Sequence, residues 1–324
     1  MINTDKKIFL IINLSFLGDV LLTNALCQNI KKNYPDSKIV FCVNKTFYEA
    51  AKYQACVDDV ICMDKRGKHS GILGLIKFAL NCPYRNKIDT AFIIYANDRG
   101  IILSKLLGCK NRISGSKNIT KYLLTDNFFD FEDFKNMQDI NASFIKSLTG
   151  TKAEILPIKY NPLNEKDIFI EKLAYLYKDK EIVALCATSK NKEKDMPPET
   201  GAQIVEKLTN EGKTVFYVGA GKEARIFADN MKKFGCVNFV DLTNVTTINR
   251  LARVLKLCNG LISVDTGTMH LACALGVPVA CIFYKTDTIE RWAPRDFLYK
   301  SVLVDRDYGA QYICERFNDL VSKV

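Results

Sequence analysis

The sequence lacks the motifs of several common classes of site. It contains two histidines, His69 and His270, which are too few for a histidine-based zinc site. Its 12 cysteines include no Cys-x-x-Cys pair and most lie in apolar runs, so we expect buried free thiols in a reducing cytoplasm. The sequence also lacks Gly-x-Gly-x-x-Gly, the fingerprint of dinucleotide binding, and this argues against a dinucleotide-dependent dehydrogenase.

Long apolar runs and clustered charge are also missing. No apolar stretch reaches the roughly 18 residues that span a bilayer, and Gly18-Asp19 interrupts the run that imitates a signal peptide. The 46 basic and 36 acidic residues give a net charge of +10, which favours nucleoside diphosphates, phosphorylated lipids, a membrane face or nucleic acid as partners. Because the basic residues are scattered through both halves, nucleic acid is the weakest of these partners.

What the sequence does contain is a repeated alternation of strand and helix patterns. A first series covers residues 7–107, residues 149–166 with their prolines and asparagines are typical of a linker, and a second series begins at residue 182. We therefore predict an α/β fold of two doubly wound domains, at residues 1–160 and 161–304, followed by a tail at 305–324. Within the first domain, residues 20–32 predict one helix.

Residues 261–276 predict a buried strand, a tight turn and a helix that ends at Gly276. Backbone N–H groups and hydroxyls converge at such a turn, where the helix dipole is positive, and this geometry suits a phosphate. The alternative is an ordinary connection whose Asp or Thr caps the helix. The candidate phosphate-binding residues here are Asp265, Thr266, Gly267, Thr268 and His270.

Two further loops of the second domain carry groups that suit a nucleotide. The loop at residues 187–197 offers Thr188, Ser189 and three lysines, among them Lys194, which suit a pyrophosphate unless the lysines are merely solvated. Glu223, in the first turn of a predicted helix, is a candidate acceptor for ribose hydroxyls, although an acidic residue in this position needs no ligand.

Asp19 is the corresponding candidate in the first domain. It follows Gly18 at a strand-to-helix turn and would project into the crevice outside the carboxyl ends of the strands. There it could act as a general base, or it could cap the helix.

The order and spacing of residues 265–294 resemble a known family. The segment contains Asp-Thr-Gly-x-x-His-Leu-Ala-x-Ala-Leu-Gly-x-Pro, an apolar strand, Thr286-Asp287 and Arg291-Trp292-Ala293-Pro294. This is similar to the signature of the ADP-heptose:lipopolysaccharide heptosyltransferases, glycosyltransferase family 9. The sequence departs from the family at Tyr284-Lys285, where Gly-Pro is usual, and at Met196, where an aromatic residue is usual.

The resemblance implies a GT-B fold, with two Rossmann-like domains facing a central cleft and a C-terminal tail that returns to the first domain. It also implies inverting transfer of a sugar, heptose from ADP-heptose, onto a lipopolysaccharide core or lipid A acceptor, with the nucleotide sugar as substrate and no cofactor. We expect no metal, because the one Asp-x-Asp match, Asp305-Arg306-Asp307, is explained by chance among 36 acidic residues.

The resemblance further assigns roles to individual residues. It makes Asp19 the base that deprotonates the acceptor hydroxyl, and it places Thr188, Ser189 and Lys194 at the donor. Basic residues after the third strand face the phosphorylated acceptor in the family. The matching positions, with one basic residue from the next strand-to-helix turn, are Lys65, Arg66, Lys68 and Arg99.

Together these features predict a cytoplasmic enzyme that docks peripherally on the anionic inner face of the membrane. Three alternatives stay open: a GT-B-fold nucleotide-sugar epimerase, a family variant that glycosylates protein side chains, and a noncatalytic binding module. An epimerase would turn over a nucleotide sugar without acceptor, and a binding module would be indifferent to the loss of Asp19.

Overall fold

The computed structural model describes residues 6–128 and 134–323, which form two compact units, Met1–Lys159 and Tyr160–Val324. The division falls next to the predicted boundary at residue 160. Each unit contains one parallel six-stranded sheet with helices, as expected for a GT-B protein built from two Rossmann-like domains. Within the described residues, no helix is both long and apolar enough to cross a membrane.

The first unit has the strand order β3-β2-β1-β4-β5-β6. Its inner strands are continuous apolar runs, as in β1 (Ile-Phe-Leu-Ile-Ile-Asn), because helices cover both faces of a parallel sheet. The strands are β1 (Ile8–Asn13), β2 (Lys38–Asn44), β3 (Asp59–Met63), β4 (Thr90–Ile93), β5 (Asn111–Ser114) and β6 (Asp126–Asn127). The helices are α1 (Leu17–Leu22), α2 (Asn24–Asn33), α3 (Tyr48–Lys52), α4 (Gly71–Leu80), α5 (Asp98–Leu106), α6 (Met137–Ser143) and α7 (Lys146–Thr149).

The second unit repeats this topology, with the order β12-β11-β10-β7-β8-β9. Its strands are β7 (Ile182–Cys186), β8 (Thr214–Tyr217), β9 (Val240–Asp241), β10 (Gly260–Val264), β11 (Val279–Ile282) and β12 (Ser301–Val304). Its helices are α8 (Ile168–Leu176), α9 (Pro198–Asn210), α10 (Lys222–Lys233), α11 (Ile248–Leu255), α12 (Gly267–Leu275), α13 (Ile289–Trp292) and α14 (Ala310–Val321).

In both sheets the order of connection reverses between the first and fourth strands, β1 and β4 in one unit and β7 and β10 in the other. Ligands of open α/β sheets bind at such a switch point, outside the carboxyl ends of the strands. The loops that follow these four strands are therefore where each unit is expected to bind a ligand.

The C-terminal helix α14 belongs to the second unit, and our expectation that the tail returns to the first domain is wrong. Ile313, Cys314 and Phe317 are buried in the core of the second unit, and α14 packs against α9 and the strands β10 to β12. Gly260 allows this packing at close range, since a Cβ atom there would lie 2.6 Å from the Phe317 ring.

Candidate active site

The β10–α12 turn has the predicted strand–turn–helix geometry. Asp265 follows β10, Thr266 is the extended N-cap residue, and α12 begins at Gly267 and is followed by Gly276 in the left-handed conformation. Thr268 and His270 are buried in its first turns. The N-terminus of α12 thus lies at the carboxyl end of the sheet, where its positive dipole favours an anion.

Lys194 meets this turn from the neighbouring loop. Its Nζ lies 2.5 Å from Oδ2 of Asp265, and the Thr288 hydroxyl donates to the same oxygen over 3.3 Å. The side chains of Lys194 and Asp265 are 19% and 6% exposed. The structure therefore brings the two predicted residues together, and it places an ammonium group beside the helix N-terminus.

Ser189 is engaged within its own loop. Its N–H donates to Oδ1 of Asp195 over 2.6 Å, and its hydroxyl donates to the Asn191 carbonyl over 2.8 Å. Thr188 Oγ1 and the Tyr217 hydroxyl both lie close to Gly219, since a Cβ atom on that glycine would be 3.8 Å and 3.7 Å from them. These contacts give the loop a defined shape.

The loop after β8 completes this end of the sheet. Gly221 adopts φ +96°, which is costly for other residues, and its N–H donates to Oδ1 of Asn244 over 2.6 Å. Glu223 follows in the first turn of α10. Burial, and secondarily the negative charge of Glu223, raise the pKa of Asp195, so the two carboxyl groups interact electrostatically. Neither Asp195 nor Asn244 was predicted as a site residue; Asp195 at least lies inside the predicted loop.

His270 is held neutral at physiological pH. Burial lowers its pKa from 6.5 to about 4, with the cation of Lys194 acting in the same direction and Asp265 against it. A neutral imidazole beneath the helix N-terminus adds no charge to the anion site.

The buried state of His270 predicts a pH-dependent stability. Between pH 6.5 and pH 4 the unfolded chain binds a proton that the folded chain excludes, so the free energy of unfolding falls as the pH falls through this window. The loss should reach about 2 kcal/mol at pH 5. Urea unfolding at pH 7 and pH 5 measures it, and His270→Gln should lack this contribution. An equal pH dependence in the variant would contradict the assignment.

In the first unit, Asp19 lies at the β1–α1 turn with both carboxylate oxygens engaged. Oδ2 accepts from the Phe16 N–H over 3.0 Å, and Oδ1 accepts from the Tyr95 hydroxyl over 2.8 Å. Asn13 and Thr23 donate to the Asp19 carbonyl and fix its backbone. Asp19 is 9% exposed. It therefore does cap α1, as one alternative predicted, yet its carboxylate also stands at the sheet edge beside a phenol.

In the first unit, sequence reasoning missed Tyr95. It follows β4, the switch-point partner of β1, and adopts φ 62°; the next residue, Ala96, adopts φ 42°. Two successive left-handed residues other than glycine cost of order 1 to 3 kcal/mol each, and such strain clusters at functional sites. The conformation delivers the Tyr95 hydroxyl to Asp19.

Tyr95→Phe should lower kcat about tenfold with little change in donor KM, because it removes one of the hydrogen bonds that orient the Asp19 carboxylate. That bond also stabilises the carboxylate relative to the carboxylic acid, so the acidic limb of the pH–rate profile should move to higher pH. Tyr48→Phe, which alters a partly exposed tyrosine of the same unit, is the control. An unchanged kcat and profile would show that Tyr95 does not position Asp19.

The predicted basic residues form a cluster beside the β1–α1 turn. Lys65 Nζ donates to the Leu14 carbonyl over 2.6 Å, and Arg99 Nη1 donates to the His69 carbonyl over 3.0 Å. Arg66 and Lys68 are exposed on the turn that follows β3. Burial, and next the charges of Arg66 and Arg99, lower the pKa of Lys65. Mutually repelling cations of this kind favour a multiply charged anion.

Comparison with known proteins relates the chain to one family. Residues 143–311 match the model of glycosyltransferase family 9 (heptosyltransferase). The chain is 23% identical over 303 residues to lipooligosaccharide heptosyltransferase 2 of Haemophilus ducreyi, covering 88% of this chain and 85% of that one. It is 24% identical over 293 residues to lipopolysaccharide heptosyltransferase 1 of Campylobacter coli, covering 85% and 83%.

The fold agrees with this match. The crystal structure of a family 9 glycosyltransferase from Veillonella parvula superposes with a TM-score of 0.90 at 17% identity, covering 100% of this chain and 99% of that one. The resemblance predicted from residues 265–294 is thereby confirmed: the chain belongs to glycosyltransferase family 9, the heptosyltransferase family.

Proposed function

We propose that the chain transfers heptose from ADP-heptose, with inversion and without a metal ion, onto the lipopolysaccharide core or lipid A. Membership of the family makes the chain a glycosyltransferase. The donor and acceptor are proposed from the relatives, which are heptosyltransferases of lipopolysaccharide or lipooligosaccharide.

The observation that carries the proposal is that each unit places one half of the required chemistry at its own switch point. A carboxylate oriented by two donors, Asp19, lies at the β1 and β4 ends. An ammonium group, Lys194, lies beside the N-terminus of α12 at the β7 and β10 ends.

In the proposed reaction, Asp19 removes the proton of the acceptor hydroxyl as its oxygen attacks the anomeric carbon. The bond from that carbon to the diphosphate breaks, and the departing negative charge is stabilised by Lys194 and the N–H groups of α12. A single in-line displacement inverts the anomeric centre and needs no second carboxylate as nucleophile. The cations Lys65, Arg66, Lys68 and Arg99 bind the acceptor phosphates.

The test is acceptor-dependent ADP release. Purified enzyme, ADP-heptose and a deacylated lipopolysaccharide core should release ADP in the presence of EDTA, and NMR of the product should show the inverted anomer. Turnover of the nucleotide sugar alone would favour an epimerase, and transfer only to a protein acceptor would favour the protein-glycosylating variant. Binding of ADP-heptose without any turnover would indicate a binding module.

We further propose that the enzyme works at the cytoplasmic face of the membrane, held there reversibly by charge. Basic residues near an anionic surface contribute about 1 kcal/mol each and are screened by salt. Sedimentation with anionic vesicles should therefore weaken as the salt concentration rises. Full binding at high salt would show that charge does not contribute to the attachment.

A further inference from the structure

Helix α4 of the first unit is apolar on its outer face as well as its inner one. Leu75, Phe78 and Ala79 face the core, where they pack with β1, β2 and β4. On the other side Ile72 is 56% exposed, Leu73 79% and Leu80 57%. We call these three residues the α4 apolar surface. The single charged residue of the helix is Lys77.

The segment that contains α4 is strongly basic, although the Asp64 carboxylate lies in the turn before the helix, where it accepts from the Gly67 N–H. Between residues 65 and 88 there is no acidic side chain, while the basic residues are Lys65, Arg66, Lys68, Lys77, Arg85 and Lys87. Lys68 and Lys77 line a groove of about 480 Å³ whose other lining includes Ile61, Phe78 and Pro83. Ammonium groups bordering apolar side chains match a phospholipid, which has an anionic head and apolar chains.

A second apolar patch lies on the same side of the sheet. The 3₁₀ turn at Ile119–Leu123 packs against α5, which in turn packs against α4. In this turn Ile119 is 83% exposed and Tyr122 78%, and Lys121 lies between them. The apolar and basic character of the α4 region therefore continues beyond the helix.

We propose that α4 is the element by which this protein docks on an anionic lipid bilayer. The α4 apolar surface enters the boundary between headgroups and acyl chains, while Lys77 contacts a lipid phosphate. This inference rests on the proposed function, in which the acceptor is a glycolipid, and it adds an apolar contribution that salt does not screen.

Helix α8 of the second unit provides a matched comparison. It also exposes apolar residues, Ile168 (74%) and Leu176 (55%), but the acidic residues of segment 168–181, Glu171, Asp179 and Glu181, balance its lysines, Lys172, Lys178 and Lys180. This segment therefore has no net positive charge to attract an anionic bilayer. The pair Ile168 and Leu176 is therefore the control for Leu73 and Leu80, which have similar size and exposure.

The experiment compares the full-length protein with Leu73→Gln/Leu80→Gln and Ile168→Gln/Leu176→Gln. Sedimentation is measured with phosphatidylcholine vesicles, with and without phosphatidylglycerol, across a range of salt concentrations. Each lost leucine should lower the partition coefficient about tenfold, and the α4 variant should lose the binding that survives high salt. The α8 variant should bind like the wild type, and Lys77→Gln should weaken only the salt-sensitive part.

Activity measurements separate this inference from the proposed function. The α4 variant should act normally on a deacylated acceptor in solution and poorly on acceptor embedded in vesicles. Absence of wild-type turnover on the deacylated acceptor would sink the proposed function while leaving the vesicle result standing. Equal vesicle binding by the α4 variant and the wild type would overturn docking through α4. So would a wild-type dimer, seen by light scattering, that the α4 substitutions dissociate.

Discussion

Asp19→Asn should lower turnover by about 100-fold to 10,000-fold with little change in donor affinity. The amide cannot accept the proton of the acceptor hydroxyl, whereas the residues that we propose to bind the donor belong to the second unit. The contacts of Asp19 predict that the variant folds. The amide oxygen can still accept from the Phe16 N–H, and the Tyr95 hydroxyl can accept from the new NH₂ group instead of donating.

The measurement combines kcat with the midpoint of thermal unfolding and the affinity for ADP. Asp36→Asn, which changes an exposed carboxylate of the same unit, is the matched control and should leave all three unchanged. A variant that fails to fold would show that Asp19 is chiefly a structural cap. A folded variant with normal turnover would place the base elsewhere and refute the mechanism.

The positions of Asp19, Lys194 and Asp265 at their sheet edges could be predicted because few physical rules decide them. An apolar run followed by a tight turn and an amphipathic run predicts a strand and a helix, and parallel topology carries the ends of all such strands to one edge. The Lys194–Asp265 pair joins loops that are 71 residues apart in sequence, and the register of β7 against β10 brings them together.

Backbone details that depend on local hydrogen bonds and on the surrounding structure could not be predicted from the sequence. Residues 20–32 form two helices rather than one, because Thr23 lies between them and its hydroxyl donates back to the Asp19 carbonyl while accepting from Asn13. The left-handed backbone of Tyr95 is imposed by its surroundings, and a tyrosine carries no sequence signal for it.

The placement of α14 depended on packing that a pattern cannot assign. Its amphipathic periodicity predicts a helix but does not specify which sheet it covers. Phe317 fits over Gly260 of β10, and this contact between two distant segments assigns the helix to the second unit.

Lys194→Ala should weaken the affinity for ADP by on the order of 1.5 to 3 kcal/mol, the usual size of a hydrogen bond to a charged group. The structure gives this loss two sources. The substitution removes a cation from the N-terminus of α12, and it leaves the nearly buried Asp265 carboxylate uncompensated beside the site of an anionic ligand.

A double-mutant cycle separates these two sources. Lys194→Ala/Asp265→Asn removes the uncompensated charge as well, so it should bind ADP more tightly than Lys194→Ala and less tightly than the wild type. Isothermal titration with ADP measures all four proteins of the cycle, and Lys192→Ala, an exposed lysine of the same loop, is the control expected to bind normally. If the Lys194–Asp265 ion pair competes with the diphosphate for Lys194, Asp265→Asn alone should bind ADP more tightly than the wild type. If Lys194→Ala bound ADP as tightly as the wild type, the diphosphate would not lie at the Lys194 side of α12.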